Sequence, residues 1–174
     1  MHLENDPPAP FRPGEVVGGR YRIVRPIGAG GMGQVFLAED MRLSGQRWAL
    51  KFVPAGGADP GQAEHEAAIM TSLSHPSLPR IVDAFPLRRE GRCIVMDYLE
   101  GETLLSRSSA CGHALPWRQV VHYGMQLCDL LDYLHSRDSP IVFRDIKPSN
   151  VIVGGGDAVR LVDFGIARTY KAGK

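Results

Sequence analysis

The sequence predicts an α+β fold in which a strand-rich first part carries one helix and a mainly helical second part follows. Short apolar runs bounded by glycine, proline and polar residues dominate the first part and indicate strands. The longest stretch with helical spacing of apolar residues is Trp117–His135, in the second part. A chain of 174 residues fits one domain, or two small lobes that share one site.

Five apolar runs in the first part are typical of strands: residues 21–27, 34–39, 48–53, 80–85 and 93–98. Between the third and fourth runs, residues 62–74 repeat apolar side chains at helical spacing, and Pro76 follows, which predicts one helix. Residues 1–14 are rich in proline and poor in apolar residues, so we expect a flexible leader there.

Composition argues against several classes of protein. A formal net charge of +1 does not favour a nucleic-acid binder, which usually carries a basic surplus. No apolar run approaches the roughly 18 residues of a membrane span, and the acidic, proline-rich start is unlike a signal peptide. Three scattered cysteines do not form a disulfide framework, so we expect a reducing, cytoplasmic setting.

A glycine cluster follows the first strand. Residues 28–35 read Gly-Ala-Gly-Gly-Met-Gly-Gln-Val and fit the pattern G-x-G-x-x-G-x-V. Glycine amides can approach phosphate oxygens closely because no Cβ intervenes. A dinucleotide-binding turn or a purely structural hairpin could use similar glycines. A dinucleotide site, however, requires a helix after the glycines, and the residues from Val35 onward indicate a strand.

Lys51 lies inside the apolar run of residues 48–53, where a lysine is costly unless it is paired or functional. The simpler alternative is a lysine on a solvated face of the strand. Candidate partners are Glu64 and Glu66, which cannot share one helix face because they are two residues apart. Glu66 lies on the apolar side of the predicted helix, so we select it.

The most informative stretch is residues 143–150, which read Phe-Arg-Asp-Ile-Lys-Pro-Ser-Asn. Asp163-Phe164-Gly165 begins thirteen residues after Asn150. With the glycine cluster, Lys51 and Glu66, these motifs occur in the order found in protein kinases. The sequence therefore resembles the bacterial Hanks-type Ser/Thr protein kinase family over roughly residues 15–174.

The resemblance implies ATP and Mg²⁺ as cofactors and a protein substrate that presents a Ser or Thr hydroxyl. Asp145 matches the catalytic base, and Lys147 would neutralise charge on the γ-phosphate. Lys51, paired with Glu66, would hold the α- and β-phosphates. Asn150 and Asp163 match the magnesium ligands. Turn aspartates are the structural alternative for Asp145 and Asp163.

The resemblance also implies a five-stranded antiparallel sheet with one helix in an N-lobe of residues 15–96. A hinge would follow at 97–101, and an incomplete C-lobe at 102–174. Residues expected to contact ATP are Ile27, Gly28, Gly30, Gly33, Val35, Ala49, Lys51, Met96, Asp97, Leu99 and Ile152. We expect these to share one cleft with the catalytic residues. For Val35, Ala49, Met96, Asp97, Leu99 and Ile152 the alternative is an ordinary core residue.

Two departures from the family pattern qualify the expectation. Phe143 stands where the family usually has histidine, and we expect it to stack beside Phe164. The sequence stops nine residues after Gly165, so we expect a truncated kinase. Without the later helices, Leu127, Leu131 and Leu134 would risk forming an exposed patch. The predicted function is transfer of the ATP γ-phosphate to protein Ser/Thr hydroxyls; the alternative is an ATP-binding, non-catalytic fragment or pseudokinase module.

Overall fold

The computed structural model describes residues 10–30, 33–55, 69, 71–87, 91–112, 114–162 and 168–169. The chain divides into two compact units. The first takes in residues 1–60 and 81–98, and the second takes in residues 61–80 and 99–174. Residues 61–80 were predicted to lie in the first lobe, but they fall in the second unit.

The first unit is built on one antiparallel sheet. Its strands are β1 (Val16–Val17), β2 (Tyr21–Gly30), β3 (Gly33–Asp40), β4 (Arg47–Pro54), β5 (Ile81–Leu87) and β6 (Gly91–Asp97). The strand order is β1-β2-β3-β4-β6-β5, and every neighbouring pair is antiparallel. The five predicted strands are therefore confirmed, and the two-residue strand β1 is an addition.

Strand β1 forms because the chain reverses at Gly18 and Gly19, both of which have positive φ, of 60° and 65°. Just before it, Phe11 is buried and packs edge-on against the rings of Phe36 and Phe52, at centroid distances of 5.3 and 5.2 Å. Residues 10–14 therefore belong to the folded unit. The prediction of a flexible leader was wrong for them, because proline content concealed one anchoring aromatic residue.

The two faces of this sheet have different compositions. Alternate residues on β3, β4 and β6 point into a hydrophobic core, among them Phe36, Leu50 and Val95, none of which is exposed. Leu37, Ala49 and Lys51 alternate with them and therefore lie on the opposite face. The sheet curls until β5 meets the start of β2, where Tyr21 Oη donates to Asp83 Oδ2 over 2.7 Å.

Asp40, at the end of β3, is a buried carboxylate with five hydrogen-bond donors around it. Arg20 donates through Nε and through Nη2, the latter at 2.7 Å from Oδ2. Trp48 Nε1 lies 3.1 Å from Oδ2, and the amides of Arg42 and Leu43 donate to Oδ1. Arg20 is the main cause that holds the pKa of the Asp40 carboxyl well below its usual range, although burial opposes it.

The described residues of the second unit include two complete helices and two small sheets. The helices are α1 (Leu104–Ala110) and α2 (Trp117–His135). The strands are β7 (Glu102–Thr103), β8 (Ile141–Val142), β9 (Val151–Val153), β10 (Val159–Leu161) and β11 (Arg168–Thr169). The order β10-β9-β7 makes one sheet, and β11-β8 makes the other. The bounds of α2 are those predicted, whereas α1 was not predicted.

The segment before β5 joins this unit through specific hydrogen bonds. Ser74 N donates to Tyr133 Oη on α2 over 2.9 Å, and Leu161 N on β10 donates to Ser77 O over 2.9 Å. These bonds explain why 61–80 belongs to the second unit. Of the predicted helix at 62–74, Ile69 and Thr71 are helical, and most of the rest lies outside the described residues.

Helix α2 buries one face and exposes another. Tyr123, Leu130 and Leu134 are buried, while Leu127 and Leu131 are half-buried. The exposed apolar side chains are instead Trp117, Val120, Val121 and Met125. The exposed patch was thus predicted on the wrong face, because Leu134 packs inward. No helix in the described ranges is long and apolar enough to cross a membrane.

Replacing Asp40 by asparagine tests the buried carboxylate. In Asp40→Asn an amide faces the donors of Arg20 and Trp48, so the free energy of unfolding should fall by about 3 kcal/mol at pH 7, measured by urea denaturation. Because the folded pKa is lowered, the Asp40 contribution is complete above the ordinary aspartate pKa of about 3.9 and is lost as pH falls below it.

Between pH 4 and pH 2, the free energy of unfolding should therefore fall less in the variant than in the parent. The difference between the two losses should be on the order of the same few kcal/mol. Asp138→Asn, at an exposed aspartate, is the matched control and should leave both measurements unchanged. An Asp40→Asn protein as stable as the control would contradict this account of the carboxylate.

Candidate active site

The glycine cluster forms the turn between β2 and β3. Gly30 pairs with Gly33 at its base, while Gly31 and Met32 lie outside the described residues. Gly33 has φ +131°, and a Cβ there would lie 2.0 Å from Phe52 O, so only glycine fits. A strand, not a helix, follows the turn, as the sequence predicted, which excludes the dinucleotide-binding arrangement.

Side chains predicted to contact nucleotide line one face of the first unit. Gly28, Val35 and Lys51 occupy one cross-strand row, since Val35 pairs with both of the others. Ala49 and Met96 pair in the next row. Ile27 is half-buried at a bulge between Pro26 and Gly28. The structure thus brings together the predicted residues of β2, β3, β4 and β6.

Lys51 is 5% exposed and lies on the face opposite the aromatic core. The alternative of a lysine on a solvated strand face is therefore wrong. A buried ammonium is costly unless it interacts with an anion or a hydrogen-bond acceptor. Glu66, its predicted partner, lies outside the described residues.

Residues of the predicted hinge divide between the units. Asp97, half-buried at the end of β6, pairs with Trp48 in the first unit, whereas the buried Leu99 belongs to the second. Beyond it, β7 pairs with β9, and Thr103 lies opposite Ile152. Gly101 permits this pairing, because a Cβ there would lie 2.4 Å from Val153 O. Ile152 is half-buried within this sheet.

Hydrogen bonds from Lys147 and Asn150 to Asp145 hold the catalytic-loop motif together. Asp145 Oδ2 accepts hydrogen bonds from Lys147 Nζ at 2.7 Å and from Asn150 Nδ2 at 3.0 Å. Asn150 Nδ2 also donates to Asp145 O at 3.0 Å. Pro148–Asn150 forms a single turn of 3₁₀ helix, which brings Asn150 back toward Asp145. The structure therefore brings together three of the predicted catalytic and metal-binding residues.

Lys147 lowers the pKa of Asp145. Its ammonium is the main cause of the lower pKa of the Asp145 carboxyl, and Asn150 adds to the effect, while desolvation opposes both. An aspartate is already ionised at neutral pH, and this environment extends the carboxylate form to lower pH. The Asp145 side chain is 32% exposed, so a ligand can reach it. A carboxylate in this state can accept a proton from a hydroxyl group.

Two further sequence features have mixed outcomes. Phe143 is buried, but the stacking expected with Phe164 lies outside the described residues, as does the predicted metal ligand Asp163. Polar contacts among Arg107, Tyr123 and Asp157 were not predicted from the sequence. No spacing rule joins these residues, which are separated by 16 and 34 positions.

Comparison with known proteins agrees with this geometry. The family model described as "Protein kinase domain" matches residues 21–174, nearly the whole chain. The chain belongs to the protein kinase family. The predicted resemblance is confirmed, and with it the assignment of the curled antiparallel sheet to the kinase fold.

Several similar proteins are bacterial Ser/Thr kinases. Serine/threonine-protein kinase pkn2 of Myxococcus xanthus is 39% identical over 88% of this chain. PrkC of Bacillus subtilis is 35% identical, and Serine/threonine-protein kinase A of Synechocystis is 34% identical, each also over 88% of this chain. The aligned parts are 19%, 24% and 32% of the lengths of these relatives. The chain thus spans a third or less of each of these kinases.

Protein kinases generally use ATP with Mg²⁺, and the donor set here fits that cation. Asn150 is 8% exposed, and both of its side-chain hydrogen bonds are donated by Nδ2. The amide is therefore oriented with Oδ1, a hard oxygen ligand, turned away from Asp145. Asn150 O also accepts from Val162 N over 2.9 Å, and this bond fixes the backbone next to the Asn150 side chain.

Replacing Lys147 by methionine removes the main cause of the lowered pKa of Asp145. We expect the half-titration point of the Asp145 carboxyl to move upward toward the ordinary aspartate value. Carbon-detected NMR titration of the aspartate carboxyl groups measures it directly. Arg118→Gln removes another exposed cation and is the control. An unchanged titration in Lys147→Met would refute the role of Lys147 in lowering the pKa of Asp145.

Proposed function

We propose that this chain supplies the ATP-binding and catalytic-loop residues of a Ser/Thr protein kinase. The observation that carries the proposal is the contact of Asp145 with both Lys147 and Asn150. This arrangement combines a carboxylate that can accept a proton, a cation for phosphate charge and a side-chain oxygen for a metal. Membership of the protein kinase family supports the same function.

The chemistry assigned to Asp145 is proton acceptance. A substrate hydroxyl oxygen bonds to the γ-phosphorus while the bond from that phosphorus to the β–γ bridging oxygen of ATP breaks, and the hydroxyl proton passes to the Asp145 carboxylate. The products are a phosphoserine or phosphothreonine and ADP. Lys147 would neutralise part of the charge on the γ-phosphoryl oxygens. A lysine two residues after the aspartate favours Ser/Thr over Tyr as the acceptor, by resemblance to the family.

Lys51 is assigned to the α- and β-phosphates, with Glu66 as its partner. Its position on the sheet face that also carries Val35 and Ala49, two other residues expected to contact ATP, supports this role. Asn150 and Asp163 would hold Mg²⁺, which would supply positive charge to neutralise the phosphate oxygens.

We also infer a cytoplasmic location. The substrate ATP is abundant there, and Cys93, Cys111 and Cys128 are all free thiols, as a reducing compartment would keep them.

Two substitutions separate binding from catalysis. Asp145→Asn should reduce phosphoryl transfer by roughly 10² to 10⁴ while leaving the MgATP affinity within about twofold. Lys51→Met should weaken MgATP binding itself. Transfer is measured with γ-labelled ATP and a generic protein acceptor, and affinity by isothermal titration calorimetry, both on the whole chain.

Asp138→Asn, at an exposed aspartate, is the matched control for Asp145→Asn. Equal labelling by the parent and Asp145→Asn would refute the assigned role of Asp145. A parent chain that binds MgATP without transferring phosphate would contradict the kinase proposal for this chain and favour an ATP-binding module.

A further inference from the structure

The two residues assigned to Mg²⁺ flank one hairpin of the second unit. Asn150 directly precedes β9, and Asp163 follows β10 by two positions. Val151 pairs with Leu161, and Val162 N donates to Asn150 O over 2.9 Å. The register of the hairpin therefore fixes how far apart the backbones at Asn150 and Val162 lie. Any force that tilts or slides the hairpin displaces a proposed metal ligand.

The opposite end of this hairpin is held by a polar cluster. Arg107, on α1, donates through Nη1 to Asp157 Oδ1 over 2.7 Å and through Nε to Glu102 Oε1 over 3.0 Å. Glu102 pairs with Val153 in the β7–β9 ladder. One guanidinium thus joins the hairpin turn to the adjacent edge strand of the same sheet.

Helix α2 holds the same turn from another side. The buried Tyr123 donates from Oη to Asp157 Oδ1 over 2.9 Å and accepts from Arg107 Nη1. Gln126 Nε2 donates to Asp157 O over 3.0 Å, and Gln126 Oε1 accepts from Val159 N over 2.9 Å. Gln126 therefore forms hydrogen bonds with backbone groups on both sides of the turn. We call Arg107, Tyr123 and Asp157 the turn clamp.

Asp157 adopts a conformation that needs support. It is the one described non-glycine residue with positive φ, of 59°. This left-handed conformation is uncommon outside glycine, although Asp and Asn tolerate it better than most residues. Strained backbone persists where surrounding contacts over-determine it, often near functional sites. Here the contacts from helices α1 and α2 supply that constraint.

We propose that the turn clamp is a positioning device for magnesium: it fixes the β9–β10 hairpin and thereby places Asn150 for Mg²⁺ bound with ATP. The clamp residues do not touch the metal or the nucleotide. They act through the hairpin, as outer residues orient the ligands of other metal sites. This inference rests on the proposed binding of MgATP by the chain.

The test compares ATP affinity with and without magnesium. Calorimetric titration of the whole chain with ATP, in saturating Mg²⁺ and again in EDTA, gives two dissociation constants whose ratio reports the contribution of the metal. Asp157→Asn keeps tolerance of positive φ but removes the charge. Tyr123→Phe keeps the buried ring but removes the hydroxyl. Asp138→Asn controls for loss of an exposed carboxylate.

In both clamp variants the ratio should fall by roughly tenfold, while affinity in EDTA stays unchanged, because outer residues of metal sites typically contribute 10-fold to 100-fold. The control should keep the parent ratio. Clamp variants that keep the ratio, even with a lower melting temperature or with equal losses in both conditions, would overturn the inference and leave the clamp purely structural. A parent chain with no magnesium-dependent gain would overturn the proposed function itself.

Discussion

The hydrogen bonds of the Asn150 side chain are the constraint on which the second unit's candidate site depends. One amide nitrogen donates to both the backbone and the carboxylate of Asp145, so the loop between them closes on itself. The same geometry turns the amide oxygen outward, where a hard cation can use it. Because Asn150 is buried and its carbonyl accepts from Val162, the loop is also tied to the hairpin that follows. The proposed catalytic base and the proposed metal ligand are thus held together by the Asn150 side chain.

Sequence patterns predicted the elements whose signals are local. Alternating apolar residues located five strands of the first unit, and helical spacing gave α2 its observed bounds at Trp117 and His135. The glycine requirement at Gly33 follows from backbone approach to Phe52 and was visible as a motif. Lys51 was recognised because a lysine in an apolar strand conflicts with its surroundings, and its burial agrees with that reasoning.

Features that depend on distant partners were not predictable from the chain. Phe11 looked like part of a proline-rich leader, yet the rings it packs against lie on β3 and β4. Nothing in the sequence singles out Asp40, although Arg20 and Trp48 both donate hydrogen bonds to its carboxylate. The exposed apolar patch of α2 was predicted at Leu127, Leu131 and Leu134, although Leu134 is buried, because spacing shows that a stripe exists but not which side finds a partner. Such contacts arise from packing, not from periodicity.

The most direct test of the account is paramagnetic NMR with MnATP in place of MgATP, on the chain labelled for side-chain amides and backbone. Mn²⁺ takes the same oxygen ligands and broadens nearby signals strongly. The account predicts that the Asn150 side-chain amide broadens beyond detection with MnATP, whereas the same signal stays sharp with diamagnetic MgATP. A sharp Asn150 signal in the presence of bound MnATP would contradict the placement of the metal.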